Sequence, residues 1–194
     1  MAVPLPRALR AAYAVTQRAL AGPGVRPVQP ESLHLTLKFL GSLELVRVER
    51  VCEALADVAS SAERGLLRAG RVGAFPSARA ARVLVVELED ASGSVTRLGR
   101  ALERALVPLG FSAEERELRL HVTLGRVREG KLDARSALAR APVPAGEWPV
   151  DAFALVESRL GGGPPVHRVL RRFAVGEAAP AGPLARGSAQ SLRR

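Results

Sequence analysis

The chain has 194 residues, of which 47% are hydrophobic and 25% are charged, which excludes a disordered or fibrous protein and fits one globular domain or two small fused lobes. No apolar run reaches the roughly 18 residues that a membrane-spanning helix needs, and the segment MAVPLPRALR lacks the apolar core of a secretory signal, so we expect a cytoplasmic protein. The single cysteine, Cys52, excludes an intrachain disulfide and a zinc site made of cysteines.

The net charge of +10 favours a polyanionic ligand such as a nucleic acid, because clustered cations gain affinity for phosphates by releasing counterions. Two features weaken that indication. Of the 29 basic residues only Lys38 and Lys131 are lysines, and the chain is rich in Gly and Pro, which is typical of a GC-rich coding sequence. Aromatic residues make up 4% of the chain, so no series of base-stacking platforms is evident.

The first half of the chain predicts two helices and three strands. Pro6 precedes a helical segment and Gly22 follows it, in agreement with the preference for proline at the start of a helix and glycine after its end. Apolar residues at three- and four-residue spacing predict a later amphipathic helix, in which Cys52 falls on the apolar stripe as a packing residue. The predicted elements are a helix over 7–20, a strand around His34, a helix over 48–59 and strands over 66–72 and 82–88.

The second half predicts a similar mixture. Gly110 follows a helical pattern and stands where a left-handed C-terminal cap is expected. The glycines at 161–163 predict a hairpin turn, because they lack the Gly-Lys-Ser/Thr ending of a phosphate-binding loop. We expect one domain over 1–176 and a disordered, Pro/Gly-rich tail over 177–194. The predicted elements are helices over 95–109 and 132–141 and strands over 118–127, 150–159 and 166–175.

A tetrapeptide pattern, His-x-Thr-Leu, occurs twice, at residues 34–37 and 121–124. On a β-strand successive side chains point to opposite faces, so the histidine and threonine of each copy share one face and the apolar residues fill the other. Each copy precedes a helical pattern, and the copies divide the chain into comparable halves. The pattern predicts an α+β fold of two pseudo-symmetric lobes, in which two mostly antiparallel sheets line a central cleft with helices outside.

Two imidazoles and two hydroxyls that face one cleft predict acid-base chemistry on a phosphate ester. Histidine has an unperturbed pKa of about 6.5, so one ring can act as a general base while another acts as a general acid. Threonine hydroxyls can donate hydrogen bonds to phosphoryl oxygens. Hydrolysis of a cyclic phosphodiester needs this set of groups and no metal. A metal site on the two histidines is less favoured, because no H-E-x-x-H motif is present and no carboxylate lies beside either histidine in the sequence.

At these residues the chain resembles the two-histidine (2H) phosphoesterases, and within them the RNA 2′,3′-cyclic phosphodiesterases, also called the 2′-5′ RNA ligase family. The segments PESLHLTLKFLG and LHVTLGRV are similar to the paired histidine motifs of that family. Further segments resemble the family in the same order, namely VGAFPSARAARVLVVEL, LVPLGF and VDAFALVESRLGGG with a final VLRRF. The resemblance covers residues 2–175.

The resemblance implies a bilobal α+β fold and hydrolysis of RNA 2′,3′-cyclic phosphate ends to 2′-phosphates, with 2′-5′ joining as a reverse activity. It implies that His34 is the general acid that protonates the leaving 3′ oxygen and that His121 is the base that activates water. Thr36 and Thr123 would bind the phosphate, and Arg126 matches a basic residue that follows the second motif. No metal or cofactor is expected.

The chain departs from the family pattern at two places. Family members begin with a strand resembling R-x-F-x-A, whereas residues 1–4 here predict a shortened strand and the loss of an edge in the first lobe. His167 stands where an aromatic residue is expected, and from the sequence we expect it to be a surface or groove residue. Two alternatives stay open, an RNA-end-binding protein with little turnover and a phosphodiesterase for a small cyclic nucleotide or ADP-ribose cyclic phosphate. We expect a monomer.

Overall fold

The computed structural model describes residues 1–114, 117–159 and 166–176. Within them the strands are β1 (Ala2–Pro4), β2 (Val25–Pro27), β3 (His34–Thr36), β4 (Gly65–Phe75), β5 (Val83–Glu89), β6 (His121–Val127), β7 (Glu147–Val150), β8 (Ala152–Arg159) and β9 (Val166–Ala174). The α-helices are α1 (Arg10–Ala19), α2 (Leu45–Ser61), α3 (Ser94–Leu106) and α4 (Arg135–Arg140). The predicted turn at 161–163 and the predicted tail over 177–194 lie outside the described residues.

The helices form where apolar residues recur at helical spacing. Cys52 is fully buried in α2, which confirms its predicted packing role. After α3 a short 3₁₀ turn ends at Gly110, whose φ of 83° is the left-handed conformation predicted for a helix cap. None of the helices in the described part of the chain combines the length and apolarity that spanning a bilayer requires. The buried stripe of α3 consists of Val95, Leu98, Leu102 and Leu106.

The strands form one antiparallel sheet in the order β7-β4-β5-β6-β3-β1-β8-β9, and β2 pairs with β6. The two predicted sheets are the two halves of this sheet, which meet where β3 lies beside β6. One registered pair, Leu35 with Val122, joins the halves. We refer to this pair as the seam. The two strands that carry the histidine motifs are therefore neighbours at the centre of the molecule.

The α2 and α3 helices cover one face of the sheet. The α2 helix packs against β9, the α3 helix packs against β4, and the two helices contact each other. In β5, Leu84 and Val86 belong to the apolar core, whereas Val85 and Glu87 alternate to the opposite face. We call that opposite face, around the seam, the cleft face. Among the fully buried core residues are Trp148, Phe153, Leu35, Leu102 and Leu124.

The first strand, β1, is short but lies in the interior of the sheet. It pairs with β3 through Ala2, Val3 and Pro4, and with β8 through Ala2. The predicted short strand is therefore present between β3 and β8. The expectation that the first lobe loses an edge is wrong, because the ends of the strand order are β7 and β9.

Candidate active site

The seam sets the two histidine motifs against each other. In an antiparallel pair the residues on either side of a registered pair are also opposite each other, so His34 faces Thr123 and His121 faces Thr36. The seam residues are fully buried in the core, whereas these four polar residues are partly exposed on the cleft face. The structure thus brings together both imidazoles and both hydroxyls, with the two histidines diagonal to each other.

Each histidine ring is held by the backbone of the segment that directly precedes its strand. The Nδ1 atom of His34 lies 2.7 Å from the carbonyl oxygen of Ser32, and the Nδ1 atom of His121 lies 2.6 Å from that of Arg119. Because a carbonyl oxygen can only accept a hydrogen bond, Nδ1 is the donor in both rings. Both rings therefore keep a proton on Nδ1, and Nε2 is the nitrogen that gains or loses a proton.

The surroundings of His34 contain a second histidine. The ring centroid of His167 lies 5.1 Å from that of His34 in an edge-to-face arrangement, with 68° between the planes. Burial lowers the pKa of His34 below its usual value, against the hydrogen bond to Ser32, which raises it. The charges of His167 and Arg126 lower this pKa further. Neutral His34 is therefore favoured in the protein without a bound anion.

The surroundings of His121 contain a phenylalanine and a group of charged residues. The ring centroid of Phe75 lies 5.1 Å from that of His121, at 84° between the planes, and the guanidinium carbon of Arg119 lies 4.9 Å from the Phe75 centroid. Glu87 is paired with His121 across β5 and β6. Its carboxylate accepts two hydrogen bonds from Arg71, of 2.9 and 3.0 Å, and lies 4.0 Å from Arg119. This half of the cleft face therefore combines an aromatic ring with paired charges.

Arg126 reaches the cleft face because of an irregularity in β6. The register between β5 and β6 skips Leu124, which is the extra residue of a β-bulge. In a regular strand Arg126 would lie on the face opposite to Thr123, since the two are three positions apart. The bulge adds one residue and returns Arg126 to the face of Thr123. In agreement with this, Leu124 is buried and Arg126 is exposed, and the charge of Arg126 acts on His34.

The cleft face offers imidazoles, hydroxyls and guanidinium groups, which are donors suited to a phosphate anion. In the part of the chain that the structure describes, no group of three or more His, Cys, Asp or Glu side chains is placed to hold a metal ion. The sequence did not identify Phe75 and Glu87 beside His121, and it predicted His167 as a surface or groove residue without placing it beside His34. One signal was available for His167, which occupies a position where the family pattern has an aromatic residue.

Comparison with known proteins identifies the family of the chain. A family model described as LigT-like phosphoesterase matches the chain twice, over residues 2–85 and 86–166. Each match contains one histidine motif, so the repeat predicted from the motifs extends over both halves of the chain. The resemblance noted in the sequence and the predicted fold class are confirmed.

Relatives of this family cover most of the chain. An RNA 2′,3′-cyclic phosphodiesterase of Thermus thermophilus is 34% identical over 189 residues, which span 90% of this chain and 88% of that protein. An RNA 2′,3′-cyclic phosphodiesterase of Archaeoglobus fulgidus is 31% identical over 151 residues, or 77% of this chain and 84% of that protein. The crystal structure of a protein from Thermus thermophilus matches with a TM-score of 0.78 and 29% identity, over 90% of this chain and 96% of that one.

Proposed function

The chain belongs to the LigT-like phosphoesterase family, and on that premise we propose that it hydrolyses the 2′,3′-cyclic phosphate ends of RNA to 2′-phosphates. Relatives with this activity in their names support the proposal. The observation that carries it is the register at the seam, where His34 is opposite Thr123 and His121 is opposite Thr36. A phosphorus atom above the seam would have an imidazole and a hydroxyl on each side.

In the proposed reaction one imidazole removes a proton from water while the other protonates the leaving oxygen. The oxygen of the water attacks phosphorus, the bond between phosphorus and O3′ breaks, and the departing O3′ takes the proton of the second imidazole. The products are a 2′-phosphate and a free 3′-hydroxyl, and the two imidazoles end with exchanged protonation states. The Nε2 atoms of His34 and His121 carry both transfers, because each Nδ1 is occupied by a backbone carbonyl.

Thr36, Thr123 and Arg126 are the proposed phosphate-binding residues. Each threonine hydroxyl donates a hydrogen bond to a non-bridging oxygen, and the guanidinium group of Arg126 stabilises the negative charge that develops as the ring opens. These interactions gain strength as charge accumulates on the oxygens, so they favour the transition state over the bound substrate. The excess of basic residues in the chain is consistent with a polyanionic substrate.

We retain His34 as the general acid and His121 as the general base, as the family resemblance implies. The lowered pKa of His34 makes its imidazolium form a stronger proton donor, but leaves less of that form present at neutral pH. The negative charge of a bound cyclic phosphate opposes this effect, since an anion stabilises the neighbouring imidazolium. His34 then acquires its proton when substrate binds.

The same groups would also serve 2′-5′ joining. If the 5′-hydroxyl of a second RNA replaces water as the nucleophile, His121 removes its proton, a bond forms between phosphorus and O5′, and O3′ again leaves with the proton of His34. No step of either reaction assigns a role to a metal ion. A cytoplasmic location and a monomeric state, both expected from the sequence, remain part of the proposal.

The test is incubation of the protein with a short RNA that ends in a 2′,3′-cyclic phosphate, in buffer containing EDTA. We expect ring opening to a 2′-phosphate, identified by mass and by its resistance to a 3′-phosphatase. Formation of a 3′-phosphate would contradict the proposed bond cleavage. Loss of turnover in EDTA that returns with a divalent cation would contradict the metal-independent reaction.

Two further outcomes would replace the proposed substrate or activity. Retained binding of the cyclic-phosphate RNA without ring opening would identify an RNA-end-binding protein. A higher kcat/KM for a small cyclic nucleotide or ADP-ribose cyclic phosphate than for RNA would support the proposed ring opening and identify a small molecule as the substrate. Binding measured by fluorescence anisotropy with a labelled RNA, and rates measured over all three ligand classes, separate these cases.

A further inference from the structure

The third histidine of the chain, His167, lies in the same site as His34. The register of β8 and β9 sets His167 opposite Ser158, and the Oγ atom of Ser158 lies 2.9 Å from Nδ1 of His167. The His167 ring also lies edge to face with the His34 ring, at 5.1 Å between centroids. The His167 ring thus approaches His34 across β1 and β8. The hydroxyl of Ser158 binds it on one side, and it packs against the imidazole of His34 on the other.

The hydrogen-bond partner of His167 differs in kind from the partner of His34. A hydroxyl can donate to a neutral imidazole and can accept from a protonated one, whereas the carbonyl that binds His34 can only accept. The hydroxyl of Ser158 can therefore hold the His167 ring beside His34 whether that ring is neutral or charged.

We propose that His167 is a positioning residue for His34, which holds the plane of the His34 ring and, when protonated, opposes protonation of His34. The inference rests on the proposed function for its catalytic consequence, but the contact between the two rings does not depend on that function. This proposal gives a physical role to the histidine at position 167, where the family pattern has an aromatic residue. A neutral aromatic residue would supply the packing without the charge.

Among the described residues, the groups that act on His34 from the neighbouring strands are bases. Arg126 acts on it from β6, and the amino group of Met1, whose pKa burial lowers to about 6, acts on it from the side of β1. His121 lies diagonal to it across the seam. Glu157 precedes Ser158 in β8 and therefore points to the opposite face of the sheet. A charge on His167 adds to a positive field around His34, and a bound phosphate anion would relieve that field.

The direct test is an NMR titration of the imidazole signals, which the chain makes simple because it contains three histidines. His167→Phe keeps a ring of similar shape and removes the charge, and His167→Ala removes both. We expect the pKa of His34 to rise in both variants, because a neighbouring cation has been removed. We expect the ¹⁵N shifts that report the Nδ1 proton of His34 to change in His167→Ala and to remain in His167→Phe.

Val169→Ala is the matched control, since Val169 lies in the same strand two residues away and is largely exposed. It should leave the titration of His34 unchanged. Ser158→Ala tests the positioning of His34 without removing the His167 imidazole, because it removes the hydroxyl that binds Nδ1 of His167. An unchanged titration of His34 in His167→Phe would overturn the charge effect, and an unchanged Nδ1 signal in His167→Ala would overturn the positioning effect.

Activity gives a separate readout. At the pH optimum, we expect kcat to fall about tenfold in His167→Ala and less in His167→Phe, since a misplaced catalytic ring lowers the rate more than a changed charge beside it. The limb of the kcat/KM profile that follows His34 should move to higher pH in His167→Phe. If the protein does not open cyclic phosphates at all, the proposed function fails while the titration still decides the contact between the rings.

Discussion

In one half of the cleft face the catalytic histidine candidate packs against another histidine, whereas in the other half it packs against a phenylalanine. His34 has the ring of His167 at 5.1 Å, and His121 has the ring of Phe75 at the same distance. Both rings donate from Nδ1 to a carbonyl two residues earlier in the chain. The two halves thus share the way a ring is held and differ in what surrounds it.

The residues of the site therefore come from two parts of the sequence, the repeated motif and the strands outside it. In both copies of the motif the anchor of the ring is local, because the carbonyl that binds it lies two residues before the histidine. The walls come from strands outside the motif, with Phe75 in β4 on one side and His167 in β9 on the other. A repeated motif can therefore provide two equivalent imidazoles, and the outer strands can make one of them the acid and the other the base.

The largest effect is expected from removing either imidazole. His34→Ala and His121→Ala should each lower kcat by roughly 10²-fold or more, the usual scale of general acid-base catalysis. Because both act in one step, the double variant should lose much less than the product of the single losses. The measurement is single-turnover ring opening of the cyclic-phosphate RNA, with circular dichroism to show that the fold is retained. Near-normal turnover in either variant would remove that residue from the mechanism.

The next effect concerns the hydroxyls across the seam. Thr36→Val and Thr123→Val keep the shape of the side chain and remove the donor, so each should lower kcat/KM about 10- to 100-fold. Thr→Ser at the same positions keeps the hydroxyl and serves as the control. If the two halves contribute equally to phosphate binding, the two valine variants will lose similar amounts. A loss confined to one of them would show that the phosphate sits to one side of the seam.

Much of this fold could be predicted from the sequence, because its signals are local. The helical spacing of apolar residues located α2 and α3, and alternation placed the motif histidines and threonines on one face. The predicted strand over 150–159 corresponds to β8, which pairs with β1 and β9. The preceding residues were predicted as a loop, whereas the structure forms β7 there, paired with β4. Only this pairing with a distant strand reveals that the chain crosses from one half of the sheet to the other.

The remainder of the site depends on registers that no local pattern encodes. Arg126 lies on the cleft face because the β6 ladder skips Leu124, and this bulge exists only relative to β5. His167 reaches His34 because β9 lies beside β8, with β1 between β8 and β3. Glu87 comes to His121 through the pairing of β5 with β6. In each case a contact between distant segments decides which side chain joins the motif. The family resemblance nominated Arg126 from the sequence, whereas no pattern in the sequence placed Glu87 or His167 beside a histidine.

A smaller effect tests the surroundings of His121. Glu87→Gln removes the carboxylate that binds Arg71 and lies near Arg119, whose guanidinium group covers Phe75. We expect a loss in kcat of less than about tenfold, because ion pairs of exposed arginines are individually weak. The matched control is Glu147→Gln, which breaks a similar cross-strand pair, that of Arg68 on β4 with Glu147 on β7. Equal effects of the two substitutions would show that the charges beside His121 have no special role.

The smallest expected effect is a change in how stability depends on pH. Burial lowers the pKa of His34 in the folded protein below the unfolded value of 6.5, so the unfolded chain binds this proton more tightly. The contribution of His34 to stability is therefore present above that unfolded value and is lost as the pH falls through the lower folded pKa.

His34→Gln removes the titration, so its Tm should fall less than that of the unsubstituted protein between pH 8 and pH 5, the range around which histidine titrates. Val169→Ala, which has no titrating group, should follow the unsubstituted protein. If the Tm of His34→Gln depends on pH as steeply as that of the unsubstituted protein, burial of His34 does not penalise its protonation. The electrostatic difference between the two halves of the cleft face would then have no basis.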